Sequence, residues 1–107
     1  MVMVESFTTT TPLWRWQSAT APAAWFFLTI AGEAADGIRF AAMSGQWLHK
    51  RGGFGSARVT VAIGDTVWQT SVFPHKESGG WLLPVKAAVR KAEGIAEGDA
   101  VTATVSL

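Results

Sequence analysis

Apolar and polar residues alternate most regularly in the second half of the chain. Val101, Ala103, Val105 and Leu107 are separated by Thr102, Thr104 and Ser106, the period of two that marks a half-buried strand. Residues 58–63 repeat the pattern, with Val59, Val61 and Ile63 on one side. Gly64 and Asp65 divide that stretch from 66–73, and Gly at the start of a two-residue loop suits a type II′ hairpin turn. This register sets Ile63 opposite Thr66, Val61 opposite Trp68 and Val59 opposite Thr70, cross-strand pairs of the kind that stabilise a hairpin. Val61 and Trp68 are then expected on the core side. Pro74 is expected to end the second strand, and the polar run 75–80 to turn the chain back into a short apolar strand at Trp81, Leu82 and Leu83.

Beyond that strand the period changes. Pro84 is tolerated in a first helical turn, where its missing N–H would be unpaired anyway. Val85, Val89 and Ala92 then fall on one stripe at helical spacing and Lys86, Arg90 and Glu93 on another. Gly94 supplies a left-handed stop, and Gly98 with Asp99 turns the chain into the last strand. A weaker helix is expected over 32–43. It places Ala34, Ile38, Ala41 and Ala42 on one face, with Gly37 costing about 1 kcal/mol relative to Ala.

The N-terminal part reads as β structure. Phe7, four consecutive Thr, and then Leu13, Trp14, Arg15 and Trp16 suit a pleated surface better than a helix, and Pro12 calls for an edge position or a bulge. A connection containing Pro22 leads to a strand over 25–30 that is apolar on both faces and expected to be covered on both. Residues 44–56 read as a Gly-rich loop. The units 27–43 and 81–93 echo one another, each a short apolar strand followed by a helix. The pattern therefore predicts a mainly β fold with two short helices: one domain over 1–107, a pseudo-symmetric barrel with a helix at each end.

Composition narrows the function only a little. The chain has 107 residues, the size of one domain, and hides roughly two-thirds of its surface on folding. Six Trp and six Phe, with no Tyr, make the core aromatic. Nine Lys and Arg against eight Asp and Glu leave a net charge of +1, weak for a dedicated nucleic-acid binder. The absence of cysteine rules out disulfides, thiol catalysis and Cys-ligated metals. No secretory signal and no membrane span is expected, so a soluble cytoplasmic protein is the default. No cofactor is expected.

Three groups of residues are candidates for contact with a ligand. Lys86, Arg90 and Lys91 form a basic stripe that fits an anion or a partner surface, although a solvated helix face is the favoured reading. Lys50 and Arg51, beside Gly52 and Gly53, lie where loop N–H groups could cradle an anion, without phosphate-loop spacing. Trp14, Trp16, Trp25, Trp68 and Trp81 could line a concave site, with at least three of them expected in the core. Trp47, in the Gly-rich loop, and its neighbour His49 are the better contact residues. Catalysis finds little support. His49 and His75 have no partner at metal-ligand spacing, and Ser71 near His75 lacks both a nucleophile turn and an orienting acid. Asp65 and Asp99 are placed to cap turns.

The second half of the chain also resembles a known family. WQTSVFP (68–74), WLLPVKAAVRKAEGI (81–95), the Gly-Asp at 98–99 and the final strand are similar to an uncharacterised bacterial family, the domain of unknown function numbered nineteen-zero-five. WFFLTI (25–30), the helix bearing Ile38 and ARVTVAIG (57–64) fit the same pattern, which departs at Ala31 and Gly32. The resemblance implies a double-split β-barrel, the fold class of AbrB/MazE-type DNA-binding proteins, whose strand, Pro, basic helix, Gly-Ile, Gly-Asp, strand order is similar to 82–101. It implies no activity. A non-enzymatic binding module for an unknown ligand or protein partner is the favoured expectation, as a monomer rather than a homodimer. An AbrB-like DNA-binding regulator or antitoxin is the alternative, and an enzyme comes last.

Overall fold

The computed structural model describes residues 6–17, 19–20, 24–44 and 55–107. Its elements are β1 (Ser6–Pro12), β2 (Trp14–Gln17), β3 (Ala24–Ile30), α1 (Gly32–Ser44), β4 (Ala57–Ile63), β5 (Thr66–His75), β6 (Gly80–Pro84), α2 (Ala87–Glu93) and β7 (Ala100–Ser106). The strands form one antiparallel sheet of seven, in the order β1-β7-β4-β5-β6-β3-β2. The two edge strands, β1 and β2, are separated in the chain by Leu13 alone. The sheet must therefore curl until its edges meet at that residue, which makes it a split barrel.

At the crossing the backbone stays paired. The Leu13 N–H donates to the Asp99 carbonyl at 2.9 Å, and the Leu13 carbonyl accepts from the Gly98 N–H at 2.7 Å. The Leu13 side chain is 1% exposed. Strand β5 changes partner in the same manner, pairing with β4 as far as Val72 and with β6 from Phe73 onward. Two long strands thus each serve both halves of the barrel.

The pairings obey one approximate two-fold relation. It carries Leu13 onto Val72, Leu28 onto Leu83, Gly32 onto Ala87 and Val61 onto Ala103. Under it the pair Trp14–Phe27 becomes Phe73–Leu82, Arg15–Phe26 becomes Pro74–Trp81, and Thr9–Ala103 becomes Trp68–Val61, each of which is a register pair of the sheet. Residues that correspond are also buried alike: Leu28 with Leu83, Ile30 with Val85, Ala34 with Val89 and Val59 with Val101. The strand–helix–strand echo in the sequence is this symmetry.

The β4–β5 hairpin forms in the expected register, with Val61 opposite Trp68; Val61 belongs to the core cluster and Trp68, partly buried, packs against it. Gly64 has φ 58° and Asp65 a negative φ, the II′ signature. Gly94 ends α2 at φ 63°, ψ 37°, and the Asp99 carboxylate accepts from the Ala96 N–H at 2.8 Å. Four expectations need correction. Pro84 belongs to β6, opposite Phe27, and α2 starts at Ala87; the Val85 N–H donates to the Phe26 carbonyl at 2.9 Å, so the ladder with β3 keeps the chain extended past the proline. Pro74 does not end β5, which runs on to His75. From Phe73 onward β5 pairs with β6 alone, and a proline fits a strand that is bonded on one side only. Strand β3 is not covered on both faces: Leu28 and Ile30 point into the core, while Trp25 on the other face is 54% exposed. Ala92, expected on the buried stripe of α2, is exposed.

The helices dock through particular close contacts. The Trp81 indole N–H donates to the Ala35 carbonyl at 3.1 Å and ties α1 to β6. A Cβ on Gly37 would come within 2.2 Å of the Phe7 ring, so the mid-helix glycine is the seat for that ring. At the other helix, the Thr66 hydroxyl donates to Glu93 Oε2 at 2.5 Å and holds α2 against the hairpin.

Helix propensity alone predicts that Gly37→Ala stabilises the protein by about 1 kcal/mol. The Phe7 contact predicts the opposite sign, a loss of about 1–3 kcal/mol from overpacking, measured by urea unfolding. Gly80→Ala is expected to cost more, because its Cβ would lie 1.9 Å from the Ile30 carbonyl oxygen, a backbone atom. A gain in stability for Gly37→Ala would contradict the packing described.

Candidate functional site

The alternation that buries Leu13 turns Trp14 and Trp16 to the outside of the barrel. Trp14 lies opposite Phe27 and Trp16 opposite Trp25, so these four rings share one outer face. Pairing across β3, β6 and β5 brings Leu82 and Phe73 onto the same face. Trp16 is 49% exposed, Trp25 54% and Phe73 42%. These side chains, with His75 and Glu77, line an open hollow of about 580 Å³, within the size range of small-ligand sites.

The rings are ordered by their own contacts. Trp25 stacks on Phe27, with centroids 6.2 Å apart and planes 8° from parallel. Trp14 leans on Phe27 at 5.2 Å and 41°, and its indole N–H donates to the Thr29 hydroxyl at 2.8 Å. The polar edge of Trp14 is thereby satisfied within the sheet, and the ring meets the hollow as an apolar surface. His75 stands at the rim, its ring centroid 6.5 Å from that of Trp14. Its Nδ1 is 2.8 Å from the Ser78 hydroxyl and its Nε2 is 3.5 Å from Glu77 Oε1.

A serine, a histidine and a glutamate in contact invite comparison with a hydrolytic triad. The roles do not fit. The Ser78 hydroxyl accepts from the Gly80 N–H at 3.2 Å, the bond of a side chain shaping a turn, and the Glu77 side chain is 90% exposed, a poor position from which to orient an imidazole. Among the described residues no group of three or more His, Cys, Asp or Glu is placed to hold a metal ion.

A second cleft, of about 430 Å³, opens where the barrel is split between β5 and the segment leading into α2. Phe26, Trp68 and Val85 supply apolar wall and Lys86 and Arg90 supply charge. The Arg90 guanidinium carbon sits 3.8 Å from the centroid of Phe26, and its Nε–H donates to the Val85 carbonyl at 3.2 Å. A cation held over a ring face is stabilised there by about 0.5–1 kcal/mol.

The structure thus brings Lys86 and Arg90 to one cleft but gives Arg90 a packing role, and Lys91 is exposed without lining that cleft. Trp47, His49, Lys50 and Arg51 lie outside the described residues. Of the tryptophans weighed for the core, Trp81 is buried and Trp68 packs against the core cluster. Trp14, Trp16 and Trp25 form the outer face, so fewer than three are core. Their side is set by period-two alternation from Leu13 and from Leu28, a signal present in the sequence. That Phe73 and Leu82 complete the same face depends on strand order, which the local pattern does not carry.

No helix among the described residues is long and apolar enough to cross a membrane. No curated protein matches the chain. A family model does match, over residues 9–105. That span takes in all of β2 to α2 and the greater part of β1 and β7, the curled sheet and both helices together, and on it the chain belongs to the family described as a domain of unknown function, DUF1905.

Proposed function

We propose that this chain is a small cytoplasmic binding module, monomeric and non-enzymatic, whose ligand seat is the aromatic hollow on the outer face of β2, β3, β5 and β6. One observation carries the reading. Trp16, Trp25 and Phe73, each more than two-fifths exposed, gather with Trp14, Phe27 and Leu82 on a single face. The core does not need them there, since Leu28, Ile30, Leu83 and Val72 fill the inner side of the same strands. A contiguous apolar surface with a polar rim is the mark of an interaction site. The monomer reading rests on closure: one chain supplies all seven strands.

Reading the chain as a DNA-binding regulator draws less support. Arg90, the middle member of the basic stripe, is engaged by Phe26 and the Val85 carbonyl. The net charge of +1 provides little of the phosphate neutralisation that governs such binding.

Titration with the neutral fluorescent probe N-phenyl-1-naphthylamine tests the binding reading. We expect saturable enhancement at one site per chain. In the double variant Trp16→Thr/Trp25→Thr we expect at least a tenfold loss of affinity, with unfolding free energy within about 1 kcal/mol of the parent because both side chains are half exposed. Equal probe binding by the parent and the double variant would overturn the assignment of the hollow.

A further inference from the structure

The chemistry of the lining says what the hollow selects. Among the described residues its polar members are His75 and Glu77, and the others are aromatic or aliphatic. A sugar or other polyol needs a hydrogen-bond partner for each of several hydroxyls. Among the described residues no Ser, Thr, Asn or Gln lines the hollow, and the Trp14 N–H already serves Thr29, which leaves the indole N–H groups of Trp16 and Trp25 without a hydroxyl or amide beside them in the lining. An anion needs a cation. Among the described residues no Lys or Arg lines the hollow, and the faces of Trp and Phe rings carry negative electrostatic potential. Lys76, next to His75 in the chain, is not part of the wall.

One ligand class turns each of these features to advantage. An ammonium ion bearing methyl or aryl groups covers apolar wall, needs few hydrogen-bond acceptors, and is attracted to ring faces. Glu77 adds a carboxylate at the rim, its side chain 90% exposed and 3.5 Å from His75 Nε2. A turn side chain that exposed has room to swing toward a ligand. The stacked Trp25 and Phe27, with Trp14 inclined at 41° to Phe27, present surfaces in more than one direction, which suits a rounded alkylammonium head better than a flat platform does.

We propose that the hollow binds a small, free organic cation of the alkylated-ammonium class, with the faces of Trp16, Trp25 and neighbouring rings as its wall and Glu77 as its counter-ion. This rests on the reading of the hollow as the binding seat and adds to it the charge of the ligand. Glu77 acts by charge alone, so its amide variant isolates that contribution without altering the aromatic wall.

The test compares choline with its neutral isostere 3,3-dimethylbutan-1-ol, at constant ionic strength, by tryptophan fluorescence and by amide chemical shifts. Choline is expected to bind the parent protein at least about tenfold more tightly than the alcohol. Glu77→Gln should weaken choline about two- to fivefold and leave the alcohol unchanged; Trp25→Leu should weaken both, and thermal unfolding of each variant confirms that it is folded. Equal affinity for the charged and neutral compounds, or no change for choline in Glu77→Gln, overturns the inference while leaving the binding reading in place. The same holds if neither compound binds but N-phenyl-1-naphthylamine does. If none of the three binds, both readings fall.

Discussion

The barrel depends on one crossing. At Leu13 a continuous strand leaves β7 for β3, and the pair of main-chain bonds to Gly98 and Asp99 keeps its backbone satisfied as it does so. Without the crossing, β1 and β2 would be unconnected edges of an open sheet, and exposed edges are sites of misassociation. With it, both edges of the sheet belong to one strand. Val72 occupies the equivalent place in β5, fully buried where that strand passes from β4 to β6. Both crossing residues are aliphatic and pack in the core, so hydrophobic burial and hydrogen bonding meet at the same two points.

The crossing also divides the outer surface. Before Leu13 the outward positions are Thr8 and Thr10, whose hydroxyls lie 3.0 Å and 2.8 Å from those of Thr104 and Thr102. After it they are Trp14 and Trp16. A single alternating strand thus presents a hydroxyl ladder on one half of the barrel and an aromatic wall on the other. The symmetry of the backbone is not matched by symmetry of side chains. Trp16 corresponds to His75, and Trp25 to Gly80, a position where any Cβ would strike the Ile30 carbonyl. The aromatic wall is therefore heavier on the β2–β3 side, and the polar rim falls on the β5–β6 side.

Much of this was legible in the residues. The hairpin at Gly64, its register, the helix stop at Gly94, the cap at Asp99 and the echo of two halves all follow from local periodicity and turn chemistry, which act within a few residues. The prolines misled because their effect depends on neighbours. Pro74 and Pro84 interrupt a strand only where a partner needs their N–H, and strand order decides that. The outward aromatic strand misled for a related reason: an apolar run such as Trp25-Phe26-Phe27-Leu28 shows that both faces are apolar, not that both are covered. The contact of Arg90 with Phe26 joins residues far apart in the chain, and no spacing rule on α2 anticipates it. The contact of His75 with Ser78 and Glu77 is local, and the polar turn 75–80 contained it.

One alternation through Leu13 sorts the tryptophans into those held by the fold and those offered to solvent. Hydrogen exchange of the indole N–H groups, resolved by NMR on the unliganded protein, tests it most directly. Trp81, bonded to the Ala35 carbonyl, and Trp14, bonded to Thr29, are predicted to exchange slowly. Trp16 and Trp25 are predicted to exchange at rates close to those of free indole. Protection of Trp16 and Trp25 equal to that of Trp81 would show that their face is covered, and would contradict the account.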